Sequence, residues 1–258
     1  MKLYLKMMAL HFSAAMSYKS SFLLMVLGQF LISFASFLAV HFIFMRFDDV
    51  SGFTYTDVLL CFSAVLMAYS ISECFASGFK YFPSTLSTGA FDRMLLRPAE
   101  PLFWVFASKM EFSSVGRLFQ ALLIMGYAVV GAAVEWSFFK VTVYVLMILG
   151  GVCYFIGCYI VYAALCFYTT EGLEFINIFT DGGREFGKYP ISIYGEGALK
   201  FFTFILPLAC SQYYPLMYLL GRVKSPLMGL TPLVTICFLA PCVIFWQASL
   251  KHYHSTGS

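Results

Sequence analysis

Residues Val141–Tyr168 read VTVYVLMILGGVCYFIGCYIVYAALCFY. This run is longer than the roughly 20 apolar residues that cross the hydrocarbon core of a bilayer. Its surplus lets a helix tilt or extend past the membrane. Similar runs lie near Ser21–Met45, Val58–Ser77, Leu118–Val134, Leu199–Leu220 and Leu230–Leu250. They are continuous rather than alternating, which excludes a strand barrel. The fold expected is therefore all-α and integral to the membrane, with six transmembrane helices in one domain spanning residues 1–258. Composition agrees: 61% of residues are hydrophobic and 11% charged, whereas a soluble domain carries roughly a quarter charged residues.

Charge near the span ends sets orientation. Of the 16 Lys and Arg residues, all but Arg46, Lys140, Arg222 and Lys224 fall on the side of the N-terminus, the second and fourth loops and the C-terminal tail. Both termini are thus expected in the cytoplasm, which needs an even number of spans. The first run is too long for the apolar region of a signal peptide. Before it, Leu3, Met7, Leu10 and Ala14 share one helical face and Lys2, Lys6 and Ser13 another. Residues 1–18 therefore read either as an interfacial helix on the inner leaflet or as a frayed basic tail.

The eight cysteines lie in or beside apolar runs and read as small buried hydrophobes. No metal-type pair is present, and no disulfide framework is expected. Gly182–Lys188 spells GxxxxGK, but Tyr189 replaces the Ser or Thr that would hold magnesium, and no buried strand precedes it. Nucleotide binding by this route is excluded. Neither HExxH nor GxSxG occurs, so no catalytic site is expected. Glu73 is the one acid within a span. It is placed near the inner end, where pairing with Lys80 makes it affordable, and a proton- or substrate-handling role is the alternative. His41 reads as a polar interface residue.

The least hydrophobic sequence lies in two segments expected to be cytoplasmic loops, 78–112 and 169–198. In the first, Pro83-Ser84-Thr85 offers a helix start, and Pro98 forces Arg97 out of helical geometry. Between them Phe91, Met94 and Leu95 share a face, and Arg93 and Arg97 form a cationic ridge at i,i+4. This is either a short helix suited to a partner's groove or a loop with a membrane-skimming turn. In the second segment Glu171, Glu174 and Asn177 share one face. They either call for a cationic partner such as Arg93, Arg97 or Arg184, or lie on a solvated helix that continues the fourth span. Pro207, Pro215, Pro226 and Pro232 predict that 207–232 is either a broken, re-entrant outer region or a kinked span.

Ser87–Pro98 resembles the Gly-x-Phe-Asp-x-x-Leu-Leu-Arg-Pro signature of a bacterial branch of type-2 ABC exporter permeases. Phe167, Thr170-Glu171, Glu174, Asn177, Gly183-Arg184-Glu185 and Tyr189-Pro190 resemble its second signature. Phe204, Pro207, Tyr214-Pro215 and Leu219-Leu220-Gly221 continue the likeness. Ser211-Gln212-Tyr213 departs from the more apolar segment expected there.

The resemblance implies a permease subunit of the bacterial cytoplasmic membrane, paired with a second copy or a sister permease. It also implies docking of a separate ABC ATPase that binds ATP and magnesium, so no cofactor is expected in this chain. Phe91, Asp92, Arg93, Leu95 and Arg97 would form the first ATPase-coupling helix, with Phe91 and Leu95 inserted into the ATPase. Glu171, Glu174, Asn177, Arg184 and Glu185 would supply a long fourth-helix extension and a second contact. Pro207, Gln212, Tyr213, Tyr214 and Pro215 are the expected substrate path or outer gate. Membrane lipid is the further expected partner, and no nucleic acid is. A secondary, ion-coupled transporter without an ATPase is the alternative.

Overall fold

The computed structural model describes residues 2–169 and 177–253. Helix α1 (Lys2–Met16) leads into α2 (Lys19–Arg46), and a hairpin of β1 (Asp49–Val50) and β2 (Phe53–Thr54) turns the chain into α3 (Tyr55–Lys80). Ser51 and Gly52 both have positive φ, 53° and 78°, which matches the right-handed twist of a two-residue hairpin. The Thr54 side chain then accepts from the Asp57 backbone while Asp57 accepts from Thr54, a capping box that starts α3 at a defined residue.

Short helices α4 (Phe82–Ser87), α5 (Ala90–Leu95) and α6 (Pro101–Ser108) follow, then α7 (Val115–Gly131) and α8 (Phe138–Leu165). The chain continues through α9 (Asn177–Gly187), α10 (Glu196–Phe204), α11 (Leu208–Leu219), α12 (Pro226–Gly229) and α13 (Pro232–Leu250). Five segments among the described residues are long and apolar enough to cross a membrane: Lys19–Arg46, Tyr55–Ser87, Phe112–Gly131, Phe138–Leu165 and Pro232–Leu250. The chain is an all-α integral membrane protein.

Helix α3 is the centre of the bundle. It is buried almost throughout, against α7 and α8, while α13 packs on the far side of α8. Its small residues permit that crowding, as expected where lipid leaves van der Waals contact to hold helices together. Ser63, Ser70, Ser72 and Ser77 return their hydroxyls to carbonyls one turn earlier, so the polar groups carry no unmet hydrogen bond into the core. Gly116 on α7 faces the Val26 carbonyl of α2 with no room for a methyl group. In contrast, α2 is mostly exposed.

Three expectations change. The run Leu199–Leu220 is not one helix. It is α10 and α11, parted at Ile205–Pro207, because Pro207 has no N–H to continue the ladder. Helix α11 then runs through Pro215 to Leu219, and 207–232 is itself divided, since α12 and α13 begin at Pro226 and Pro232. The segment 78–112 holds three helices folded onto the bundle end, not an open loop.

The second loop is corrected most. Helix α8 stops at Leu165, and α9 folds back into the bundle instead of extending outward. Gly183 abuts Tyr154 of α8, Gly187 abuts Val65 of α3, and the Tyr69 hydroxyl of α3 donates to Asp181 at 2.6 Å. Gly183 and Gly187 of the GxxxxGK string therefore serve close packing. Residues 177–191 end among the middle turns of α3, with Lys188 and Ile191 buried.

Helix α1 lies across the α5 end of the bundle. Tyr4 stacks on Phe106 of α6 at 5.3 Å, and His11 meets the Ala107 carbonyl at 3.1 Å. Burial pushes the Tyr4 phenol up to about 12. Leu3 and Leu10, on the expected apolar face, point away from the protein.

Candidate functional site: an anchored helix at the bundle end

Gly89 starts α5 from the left-handed region at φ 65°, a conformation that side chains disfavour. Two residues later Phe91 is fully buried. Its ring meets Tyr253 at 5.0 Å, Phe82 at 5.1 Å and Phe167 at 5.6 Å. Trp246 of α13 closes the cluster at 5.1 Å from Phe82 and 5.0 Å from Phe167. These rings come from α4, α5, the end of α8, α13 and the segment after it. Mostly edge-to-face or tilted, they add about 0.5–1.5 kcal/mol per pair beyond the area they bury. Asp92 accepts a hydrogen bond from the Tyr253 hydroxyl at 2.7 Å.

The opposite side of α5 is free. Arg93, Leu95, Leu96 and Arg97 are exposed, with Leu96 at 87%. The Arg97 guanidinium lies 4.6 Å over the Trp104 ring of α6, which holds the cation in one orientation. The expected helix is thus present, but its faces are divided differently. Phe91 packs into its own chain and is not available to insert elsewhere. Leu96 is the apolar residue that protrudes.

Beside this helix, the Lys109 ammonium rests 3.0 Å from the centre of the Tyr81 ring. Desolvation lowers its pKa and neighbouring Lys80 adds to that, against the pull of Glu111.

A buried polar network runs from the same end into the bundle. Glu73 pairs with Lys80 at 2.8 Å, as its position in the sequence suggested, and also with Arg117 of α7. Ser114 donates to its second oxygen at 3.0 Å. Arg117 is 3% exposed, although in sequence it reads as one more loop cation. Its guanidinium lies 5.0 Å from the Tyr69 ring, and that of Arg184 lies 4.9 Å from it. Arg184 and Lys188 both pair with Glu185. Burial lowers the Lys188 pKa, and the Glu185 carboxylate opposes that shift. Arg184 therefore meets α3 through Tyr69, Glu185 pairs within its own segment, and both lie apart from α5. Glu171 and Glu174 lie outside the described residues, as does the side chain of Asn177.

The family model for ABC-2 family transporter proteins matches residues 30–257. The chain belongs to that family. It is a type-2 ABC permease, a membrane transport component of an ABC transporter. No curated protein and no solved structure matches it.

In the permease, the residues expected to line a path or gate are mostly inside. Pro207 and Pro215 are buried, Tyr213 is half-buried, and the Tyr214 hydroxyl meets that of Thr203 at 3.1 Å. Gln212, 1% exposed, donates to the carbonyls of Gly187 at 3.0 Å and Tyr189 at 2.6 Å. Those carbonyls belong to the turn that ends α9, where non-helical backbone inside a membrane bundle needs protein donors. The polar departure at Ser211-Gln212 thereby acquires a structural reason. Leu96, Trp104 and Arg117 are what the sequence reading did not single out. Leu96 shares the Leu-Leu-Arg-Pro string, but its direction depends on which face Phe91 claims. Among the described residues, no three His, Cys, Asp or Glu side chains gather as a metal site.

Proposed function

We propose that the permease exports its cargo with energy from ATP hydrolysed, with magnesium, on a separate ABC ATPase subunit that docks on α5. The observation that carries this reading is the division of α5: Phe91 and Asp92 hold it to α4, α8 and the α13 end, while Arg93, Leu96 and Arg97 project. A helix held by one face and free on the other acts as a lever. A push on Leu96 reaches α8 and α13 through the aromatic cluster, because packed interfaces shift as rigid bodies. Arg93 and Arg97 pair with ATPase carboxylates, and Leu96 with Leu95 fills the apolar cleft between them.

In this reading the chain sits in the bacterial cytoplasmic membrane with both termini inside, and a second permease copy or a sister permease completes the path. Glu171, Glu174 and Asn177 belong to a second ATPase contact, and 207–232 faces outward as a gate. Helix α1 lays Leu3 and Leu10 against inner-leaflet lipid.

The test is co-purification of the ATPase with a permease carrying Leu96→Asp and Arg93→Ala. Loss of the ATPase from an otherwise folded permease is the expected result. Wild-type association and wild-type ATP hydrolysis in that variant overturn the docking assignment. A gradient-driven transporter is the second reading, favoured by the buried charges of Glu73 and Arg117. Transport by the purified permease alone, abolished by an ionophore, selects it.

A further inference from the structure

On the side of the bundle away from α5, a cavity of about 440 Å³ lies between α2 and α7. Phe30, Phe34 and Phe37, spaced i, i+4, i+7 along one face of α2, form its first wall. Their rings stack in sequence at 6.0 Å and 5.9 Å. The second wall, from α7, includes Leu123 and Tyr127, both exposed, so the cavity opens sideways to where lipid surrounds the spans. At its far end the His41 ring hydrogen-bonds the Tyr55 hydroxyl at 3.1 Å. From Phe30 to His41 the helix rises about 16 Å, so the space is long and narrow.

At the Phe30 end sits Gln120, 2% exposed. Neither its amide nitrogen nor its oxygen has a hydrogen-bond partner among the described residues. An unpaired carboxamide within a membrane helix is costly and marks a functional position. No charged side chain lines the cavity. A carboxylate or phosphate would therefore give up its hydration without a cation in return. A hydroxyl, in contrast, both donates to Gln120 Oε1 and accepts from Nε2 once that side chain turns into the cavity it lines, satisfying both orphaned groups at once.

We propose that this cavity binds a neutral lipid alcohol, its chain along the phenylalanine ladder and its hydroxyl on Gln120. The site is separate from α5 and does not depend on how the permease is energised. Its volume is within the roughly 300–1,000 Å³ of ligand pockets, and its few polar groups among aromatic walls follow the same pattern.

The experiment uses the full chain in nanodiscs of phosphatidylcholine. The probe is a C16 alcohol with a mid-chain diazirine, compared with the same chain ending in a carboxylate and in a methyl group. Peptide mapping is expected to place the alcohol on Phe34, Leu123 or Tyr127, and the two comparators at background. Gln120→Leu should cut labelling about tenfold at unchanged thermal stability, the worth of roughly one to two hydrogen bonds in an apolar site. Leu123→Trp, which fills the cavity, should abolish it. Equal labelling by the methyl-ended chain, or labelling unaltered by both variants, reduces the site to bulk lipid contact and overturns the proposal. So does disulfide joining of two copies through Leu123→Cys with loss of labelling, because a second chain then covers the cavity.

Discussion

Glu73 carries the sharpest single-residue consequence of this structure. It accepts from Lys80 and Ser114 and pairs with Arg117, which is itself almost completely buried. Removing one partner of a buried pair leaves the other charge unmet, at about 3–5 kcal/mol. Glu73→Gln and Arg117→Met should therefore each lower the thermal midpoint of the purified permease by several degrees. The double variant should recover most of that loss, since it buries no lone charge. Additive losses would show that the two side chains do not act as a pair.

Gln212 makes a second case. Gln212→Leu strands the Tyr189 carbonyl, at about 1–3 kcal/mol for a buried group without a donor, and leaves that of Gly187 with only the weak Cys61 thiol. Faster hydrogen exchange over 185–195 is the expected readout, and unaltered exchange there would contradict the clamp. At this scale the sequence supplied identities but not directions. Glu73 with Lys80 was legible because both lie on one helix, seven residues apart. Arg117 was not, since nothing local reveals that the first turn of α7 faces α3.

At the level of elements, α5 was legible and α9 was not. Pro83-Ser84-Thr85 and Pro98 bracket a short helix, and the structure divides that stretch at Gly89, with α5 at Ala90–Leu95. Its inward face was misassigned because Phe91 and Leu95 look equivalent on a helical projection. Only the rings of Phe167, Trp246 and Tyr253, far away in the chain, distinguish them. Phe91→Ala should empty a close-packed site at about 3–5 kcal/mol and loosen α5. Leu96→Asp should leave stability unchanged and act only on association. A stability loss from Leu96→Asp comparable to that of Phe91→Ala would reverse the assignment of faces.

Helix α9 reads as a polar loop because Asp181, Arg184, Glu185 and Lys188 dominate its hydropathy. Its partners Tyr69 and Tyr154 sit in other helices, so its return into the bundle is a tertiary fact. A disulfide between Val65→Cys and Gly187→Cys should form on oxidation, because a Cβ on Gly187 would lie 3.6 Å from that of Val65. Failure to form it, with both thiols reactive to membrane-impermeant reagents, would place α9 outside the bundle.

For the whole molecule, composition and the length of the apolar runs decided the class, because a chain with 11% charged residues cannot cover a water-facing surface. Five of the runs became long helices. The remaining run became α10 and α11 because Pro207 interrupts it, and a broken helix can still contribute to a crossing where neighbours satisfy its backbone. The arrangement joins a central α3, an aromatic junction under α5 and a buried charge network that ties α3 to α7 and α9. Under the proposed function, those contacts are the route by which motion at one end of the bundle would reach its middle.

The most direct measurement of the central claim is site-specific photocrosslinking in cells from a diazirine amino acid at Leu96, with the adduct identified by mass spectrometry. The account predicts an adduct with an ABC ATPase from position 96, and none from Phe91, whose side chain is enclosed. An adduct from Phe91 with none from position 96, or no ATPase adduct from either, would contradict it.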